Sequence, residues 1–201
     1  WSVPVCATWE TAGARDHDCT LLTSTSVSWE LSKAKSCPAW IMGNSDGAGY
    51  YQVRYEGDLL DKLTADGGRS LTVPERVSTI GDVASLVAAG ELPAAAGLSL
   101  VPKFNTDPNR YIVQRSVTLV SSINRDLVPS ELRPNYARFI TKMFGERALQ
   151  LGWKSKPGED ADTKLLRPVV VGFVASEGNA PELQTDARRL ALAWLTDHSA
   201  D

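Results

Sequence analysis

The sequence predicts an α+β protein, mainly α. A short antiparallel β portion spans residues 1–56, and residues 57–201 form helix hairpins of the α-solenoid kind, HEAT- or armadillo-like. Two observations predict this. Before Glu56 the apolar residues come in short runs rich in Val, Ile, Thr, Trp and Tyr, broken by Gly, Pro and polar segments. After Glu56 they recur at helical spacing between capping and stop residues, although no strict repeat period is visible.

The expected strands are "WSVPV", "CTLLTSTSVSWEL", "AWIMGN" and "YYQVRYE", with "TAGARDHD" and "NSDGAG" as polar separators. The last two strands are expected to pair as a hairpin across Asn44 to Gly49, where Asn, Asp and Gly supply positive φ. The first long helix follows "LTVPERVSTIGDVASLVAAG": Thr72 caps it, Glu75 completes a capping box, Pro74 sits in the first turn and Gly90 stops it. Its stripe is Val73, Val77, Ile80, Ala84 and Val87. "LPAAAGLSLVPKF" reads as a shorter helix bounded by prolines. In "DPNR", Asp107 caps and Pro108 opens a helix with Ile112, Leu119, Val120, Ile123 and Leu127 on one side. A further helix carries Tyr136, Phe139, Ile140 and Met143 and stops at Gly152, and a last one from Pro181 presents Ala187, Leu190, Ala191 and Trp194. "RPVVVGFVAS" is β-branched enough for a buried strand. With helical neighbours on both sides a lone strand has no sheet to join, so the segment is assigned to a helix with Pro168 in its first turns.

The chain has 201 residues, a formal net charge of -3 and 43% apolar residues, enough to bury a core in one or two domains. No apolar run reaches the roughly 18 residues of a membrane span, and no charged segment followed by an apolar one opens the chain as in a secretory leader. The expectation is a soluble protein, cytoplasmic or secreted. Lys and Arg are scattered, which argues against a nucleic-acid partner. Cys6, Cys19 and Cys37 are an odd set; a Cys6–Cys19 bridge is open in an oxidising compartment, but small buried thiols are the favoured reading. A start at Trp1 rather than Met suggests a piece of something longer.

A search for catalytic chemistry is mostly negative. His17 and His198 stand at opposite ends, without a second His or Cys at ligand spacing, and no HExxH is present. No G-x-S-x-G elbow occurs, "NSDGAG" lacks the Lys and Ser/Thr of a phosphate loop, and "DKLTADGGR" lacks a calcium-loop ligand series. Catalytic, cofactor-binding and metal-binding residues are therefore all expected to be absent from this chain. Arg76 and Asp82 flank the stripe of the capped helix, six residues apart and on different faces, so each pairs with another element or lies on a solvated face.

"WSVPV", "WIMGNSDGAGYYQVRYE", "LTVPERVSTIGDVASLVAAGEL", "LGW" at Leu151 to Trp153 and "LLR" at Leu165 to Arg167, taken in order, resemble the C-terminal part of zinc aminopeptidases of the aminopeptidase N type, the endoplasmic-reticulum-aminopeptidase-like C-terminal domain. Trp1, Pro4, Trp40, Asn44, Gly49, Tyr50, Tyr51, Val53, Tyr55, Arg76, Ile80, Asp82, Gly152, Trp153 and Arg167 carry the likeness, and Gln52 departs from the family's usual Arg. The resemblance implies that residues 1–56 are the end of a β-sandwich with "GYYQVRY" as its last strand, and that residues 57–201 are a superhelical domain. It places zinc, HExxH and the motif for the substrate's free amine in a catalytic domain before Trp1. The chain would then be a catalytically silent fragment whose partners are that upstream domain and a peptide substrate, with a helical wall shaping the cavity.

A truncated sandwich would expose Trp1, Val3, Val5, Trp29 and Trp40 and favour self-association through the sheet. The rival reading is a free-standing solenoid module that binds a peptide or partner protein. Arg76, Asp82, Tyr50, Tyr51 and Tyr55 are the candidate structural residues between sheet and helices, with at least one of the two charges expected to be buried and bonded.

Overall fold

The computed structural model describes residues 1–123 and 125–198. Among the described residues seven helices bring the helix content to 51%, and three strands form one small antiparallel sheet, so the fold is α+β and mainly α. Two compact units divide at Phe104 and Asn105, and the switch from strand to helix falls inside the first.

In the first unit β1 (Val3–Thr11), β2 (Ala14–Leu22) and β3 (Trp40–Met42) lie in the order β2-β1-β3. β1 and β2 pair along their whole length, from Thr11 opposite Ala14 to Val3 opposite Leu22. The turn between them is Ala12-Gly13, both at positive φ, which matches the twist of a two-residue hairpin. The hairpin thus forms where the sequence alone shows a polar separator. A third of β2 is charged, with Arg15, Asp16 and Asp18 near its start, and charge is how an edge strand is guarded. The disulfide Cys6–Cys19 joins the two strands, which corrects the expectation of buried thiols there. The expected strand over residues 19–31 stops at Leu22; residues 23–39 are irregular, in a stretch whose Ser24 hydroxyl bonds the Ser26 carbonyl instead of leaving the backbone to a ladder.

"YYQVRYE" is not a strand, and no hairpin joins it to β3. Residues 45–47 form a single 3-10 turn, with Asp46 and Gly47 at positive φ, and residues 48–56 run on without regular structure. Asn44, buried, closes this loop: its side-chain amide accepts from Gly49 N at 2.8 Å and donates to Gly49 O at 3.0 Å. Those bonds replace the ladder a hairpin would have made.

α1 (Leu59–Leu63), α2 (Val73–Ala88) and α3 (Ala94–Phe104) complete the unit. α2 has the expected Thr72–Glu75 capping box and a positive-φ Gly90 just after its end. α3 runs through Pro102, a residue that by sequence alone belongs at its boundary. Trp9, Met42, Ile80, Val83, Val101 and Phe104 are buried, and Tyr55 packs on the cluster of Trp40, Met42, Leu63 and Leu71. Trp40 is therefore covered, contrary to the expected exposure. Val3, Val5 and Trp29 are half-buried, and Trp1 is exposed.

The second unit holds α4 (Arg110–Ser121), α5 (Arg133–Leu151), α6 (Ala161–Ser176) and α7 (Pro181–Thr196). α4 is capped by Asn109, whose side chain accepts from Tyr111 N; Asp107, the expected cap, instead accepts from Asn109 N. The helix ends at Ser121, before Ile123, and the side chain of Leu127 lies outside what is described. "RPVVVGFVAS" is helical, but α6 starts at Ala161 under an Asp160 cap, so Pro168 stands in the helix interior rather than in its first turns. α6 packs on α4, α5 and α7 and buries Val170, Val171, Phe173, Val174 and Ala175, which explains why its sequence reads as a buried strand. Phe173 meets Phe144 of α5 edge to face at 6.1 Å, and the Tyr136 hydroxyl donates to Val120 O at 2.9 Å. On α7 Leu183 is buried, while Leu192, Trp194 and Leu195 are exposed. Among the described residues no helix is long and apolar enough to cross a membrane.

Candidate functional site

The residues singled out from the sequence gather at two places, one in each unit. In the first unit, β1 makes ladder bonds to β2 on one edge and to β3 on the other, where Thr8, Trp9 and Glu10 face Met42, Ile41 and Trp40. At Cys6 β3 has already ended. The Tyr51 hydroxyl takes its place, accepting from Cys6 N at 3.2 Å and donating to Gly43 O at 3.0 Å. The next residue that would face this edge, Pro4, has no N–H to satisfy. The Tyr51 ring lies so close over Gly49 that a Cβ there would meet it at 2.1 Å, so this position needs Gly.

Tyr55 makes the companion contact, its hydroxyl accepting from Gly43 N at 2.9 Å and donating to Met42 Sδ at 3.4 Å; burial pushes it above the ordinary tyrosine range. Tyr50, between the Gly49 loop and Tyr51, is fully exposed and takes no part. "GYYQVRY" is thus a segment of two tyrosine clasps rather than a strand.

Asp82 is buried, 7% exposed, and burial raises its carboxyl to about 6, with the Val53 backbone N–H pulling it part of the way back. One carboxylate oxygen has no hydrogen-bond partner. Arg76, on the same helix, is half-buried. Because the folded-state value of Asp82 lies above the ~3.9 of an unfolded Asp, the fold takes up a proton over roughly pH 6 to 4 that the unfolded chain does not. The charged form therefore burdens the fold above about pH 6. Asp82→Asn is expected to melt higher than the parent at about pH 8, and its advantage should shrink as pH falls from about 6 to about 4. A constant difference in melting temperature across that range would refute the assignment.

Glu75, which the sequence marks only as a capping residue, is the hub. It is fully buried. Its carboxylate accepts from Thr72 N at 2.9 Å and Asp46 N at 3.2 Å, and from the Arg15 guanidinium at 2.6 Å to each oxygen. Arg15 comes from β2, lies over Trp40 at 5.6 Å and also donates to Ser70 O. One side chain therefore ties sheet, loop and helix together. Capping-box spacing points to Glu75; nothing in the sequence points to Arg15, 60 residues earlier.

In the second unit, "LGW" and "LLR" meet. Arg167, 5% exposed, donates to both carboxylate oxygens of Glu159 and to the carbonyls of Leu151 and Gly152. Gly152 leaves α5 at φ 59, and the guanidinium of α6 satisfies carbonyls that the helix end leaves open. Trp153 donates from Nε1 to Leu183 O at 2.9 Å, joining α7. Glu159, to which no sequence motif points, is held below the usual carboxylate range by its bonds to Arg167.

These arrangements hold elements together and pair no nucleophile with a base. His17 lies exposed on β2 and His198 stacks edge-on against Trp194 at 4.7 Å. Among the described residues no three His, Cys, Asp or Glu side chains group to hold a metal, so the residues present do not form a zinc site. A cavity of about 500 Å³ in the second unit is lined by Arg110, Arg147 and Lys156 and by Glu159, Asp160 and Asp162. Its acids are engaged: Asp162 with Arg110, Glu159 with Arg167, and Asp160 capping α6.

The fold is mainly helical α+β with a small sheet, and its motif residues go into clasps and clamps. Residues 40–201 match the model of the ERAP1-like C-terminal domain, and the chain belongs to that family. Among curated proteins it is similar to puromycin-sensitive aminopeptidase of Caenorhabditis elegans, 24% identical over 72% of this chain and 16% of that protein. It is 27% identical to aminopeptidase M1 of Arabidopsis thaliana over 91% of this chain and 21% of that protein. To aminopeptidase N of Lactococcus lactis subsp. lactis (strain IL1403) it is 26% identical, over 90% of this chain and 21% of that protein. The chain spans about a fifth of the length of these relatives or less.

Proposed function

We propose that this chain is the non-catalytic C-terminal part of a zinc-dependent aminopeptidase that removes N-terminal residues from peptides. In this reading residues 1–56 belong to the β portion next to the catalytic domain, and residues 57–201 are a helical wall that shapes the cavity and limits peptide access. The zinc and its general base belong to the catalytic domain, and no step of the reaction is routed through this chain. The observation that carries the reading is the match of residues 40–201 to an aminopeptidase C-terminal family, with aminopeptidases aligned over nearly the whole chain. The geometry supports it, because Tyr51, Tyr55, Glu75 and Arg167 are committed to holding the frame.

The test compares the chain alone with the parent enzyme and with a parent lacking residues 57–201. The chain alone, given zinc, is expected to leave aminoacyl-nitroanilides intact. Removing the helical residues is expected to change the parent's preference between long and short peptides more than its rate on a single-residue substrate. Zinc-dependent turnover by the chain alone, or an unchanged length preference in the truncated parent, would overturn the proposal.

A further inference from the structure

Cys6 and Cys19 face each other across β1 and β2 and are joined by a disulfide, while Cys37 is free and exposed. The bond closes a loop that is closed already. Its two ends are 13 residues apart, linked by a tight turn, and lie within a continuous ladder. Loop closure over this separation restrains the unfolded chain substantially, whereas in the folded chain the turn and ladder already hold the same span, so opening the bond there need not unfold the hairpin. Cys6 N points to Tyr51 and away from β2, so the pair is one of those whose backbones do not bond each other. What the bond does hold is the end away from the turn, where Val3, Pro4 and Val5 lie opposite Leu22, Leu21 and Thr20.

Cys19 is exposed and Cys6 half-buried, so the Cys19 side is the one assigned to attack. Its backbone N–H is taken by the Asp18 carboxylate at 2.8 Å, which puts a negative charge beside it. Exposed disulfides are among the reducible ones. We propose that Cys6–Cys19 is a reversible redox latch on the far end of the hairpin, opened in the folded protein by a dithiol that carries little negative charge. One thiolate of the dithiol attacks Cys19 Sγ; the Cys6–Cys19 bond breaks, and Cys6 leaves as a thiolate and takes a proton. The second thiolate of the dithiol then displaces Cys19, which is protonated in turn, and the reductant leaves as its own disulfide. Two electrons and two protons pass to the protein. The open latch releases the three outer pairs, while Tyr51 keeps its hold on Cys6.

The test treats the folded chain with dithiothreitol or with glutathione, without denaturant, and reads thiols by alkylation and mass spectrometry and amides by hydrogen exchange. Dithiothreitol is expected to reduce the bond faster than the anionic glutathione at equal thiolate concentration. Reduction should speed exchange at Val5 and Thr20 by about tenfold or more and leave Ile80 and Val83 of α2 unchanged. The double variant Cys6→Ser, Cys19→Ser should show the same local pattern without any reductant. A bond that resists dithiothreitol until the chain unfolds, one that glutathione opens as fast, reduction that also exposes α2, or unchanged exchange at Val5 and Thr20 would each overturn the proposal.

Discussion

Glu75→Ala is expected to lose about 2–6 kcal/mol of stability, from two backbone N–H groups left without an acceptor at about 1–3 kcal/mol each. The loss is not mainly the attraction to Arg15, whose side chain is partly solvated and can recover water. It comes from the N–H groups of Thr72 and Asp46, which lose their acceptor around a side chain that is fully buried. Glu75→Gln keeps an acceptor for one of them and should fall between the parent and the alanine variant. Arg15→Ala should cost less than Glu75→Ala. Urea melts of the three variants check the order, and an Arg15→Ala loss equal to or larger than that of Glu75→Ala would move the hub to the arginine.

Arg167→Ala is the second large effect, expected at about 3–5 kcal/mol because a buried guanidinium with charge-assisted bonds is removed. The carbonyls of Leu151 and Gly152 lose their donor at the end of α5, and Glu159 loses the partner that holds its carboxyl low. Lysine should not restore the parent's stability, since one ammonium cannot reach a carboxylate and two carbonyls in the geometry of a planar fork. The sign of the pH effect follows from the depressed Glu159: its contribution is present above the unfolded value of about 4.3 and is lost as pH falls through the lower folded one. Thermal melts of the parent, Arg167→Ala and Arg167→Lys from about pH 7 to about pH 3 check both points. A lysine variant that melts with the parent would reduce the clamp to a simple charge.

What is legible in the sequence is local. The Thr72–Glu75 box, the Gly152 stop and the helical neighbours of "RPVVVGFVAS" act within a few residues, and α2, α5 and α6 follow from them. What is not legible is made at a distance. Tyr51 and Tyr55 look like strand residues by propensity, but their hydroxyls are used by Cys6 and Gly43, and those bonds decide the path of residues 49–55. β2 reads as a polar separator because its guard charges crowd the end nearest the turn. Glu159 lies in a loop with no motif around it, and only the fold brings it to Arg167.

The outer edge of β2 is partly closed from within. The His17 carbonyl is taken by Lys33 Nζ at 2.9 Å and the Cys19 N–H by Asp18, so some of the groups on which another strand would dock are already occupied. The remainder discriminates by symmetry. Two copies pairing edge to edge about a two-fold must set side chains of the same face opposite each other, and the register that uses the whole of β2 puts Asp18 against its own copy. Moving the centre to His17 sets Asp16 against Asp18 twice over. The strand therefore repels its own image most where the overlap would be longest, and an incoming strand that carries cations at those positions meets no such barrier.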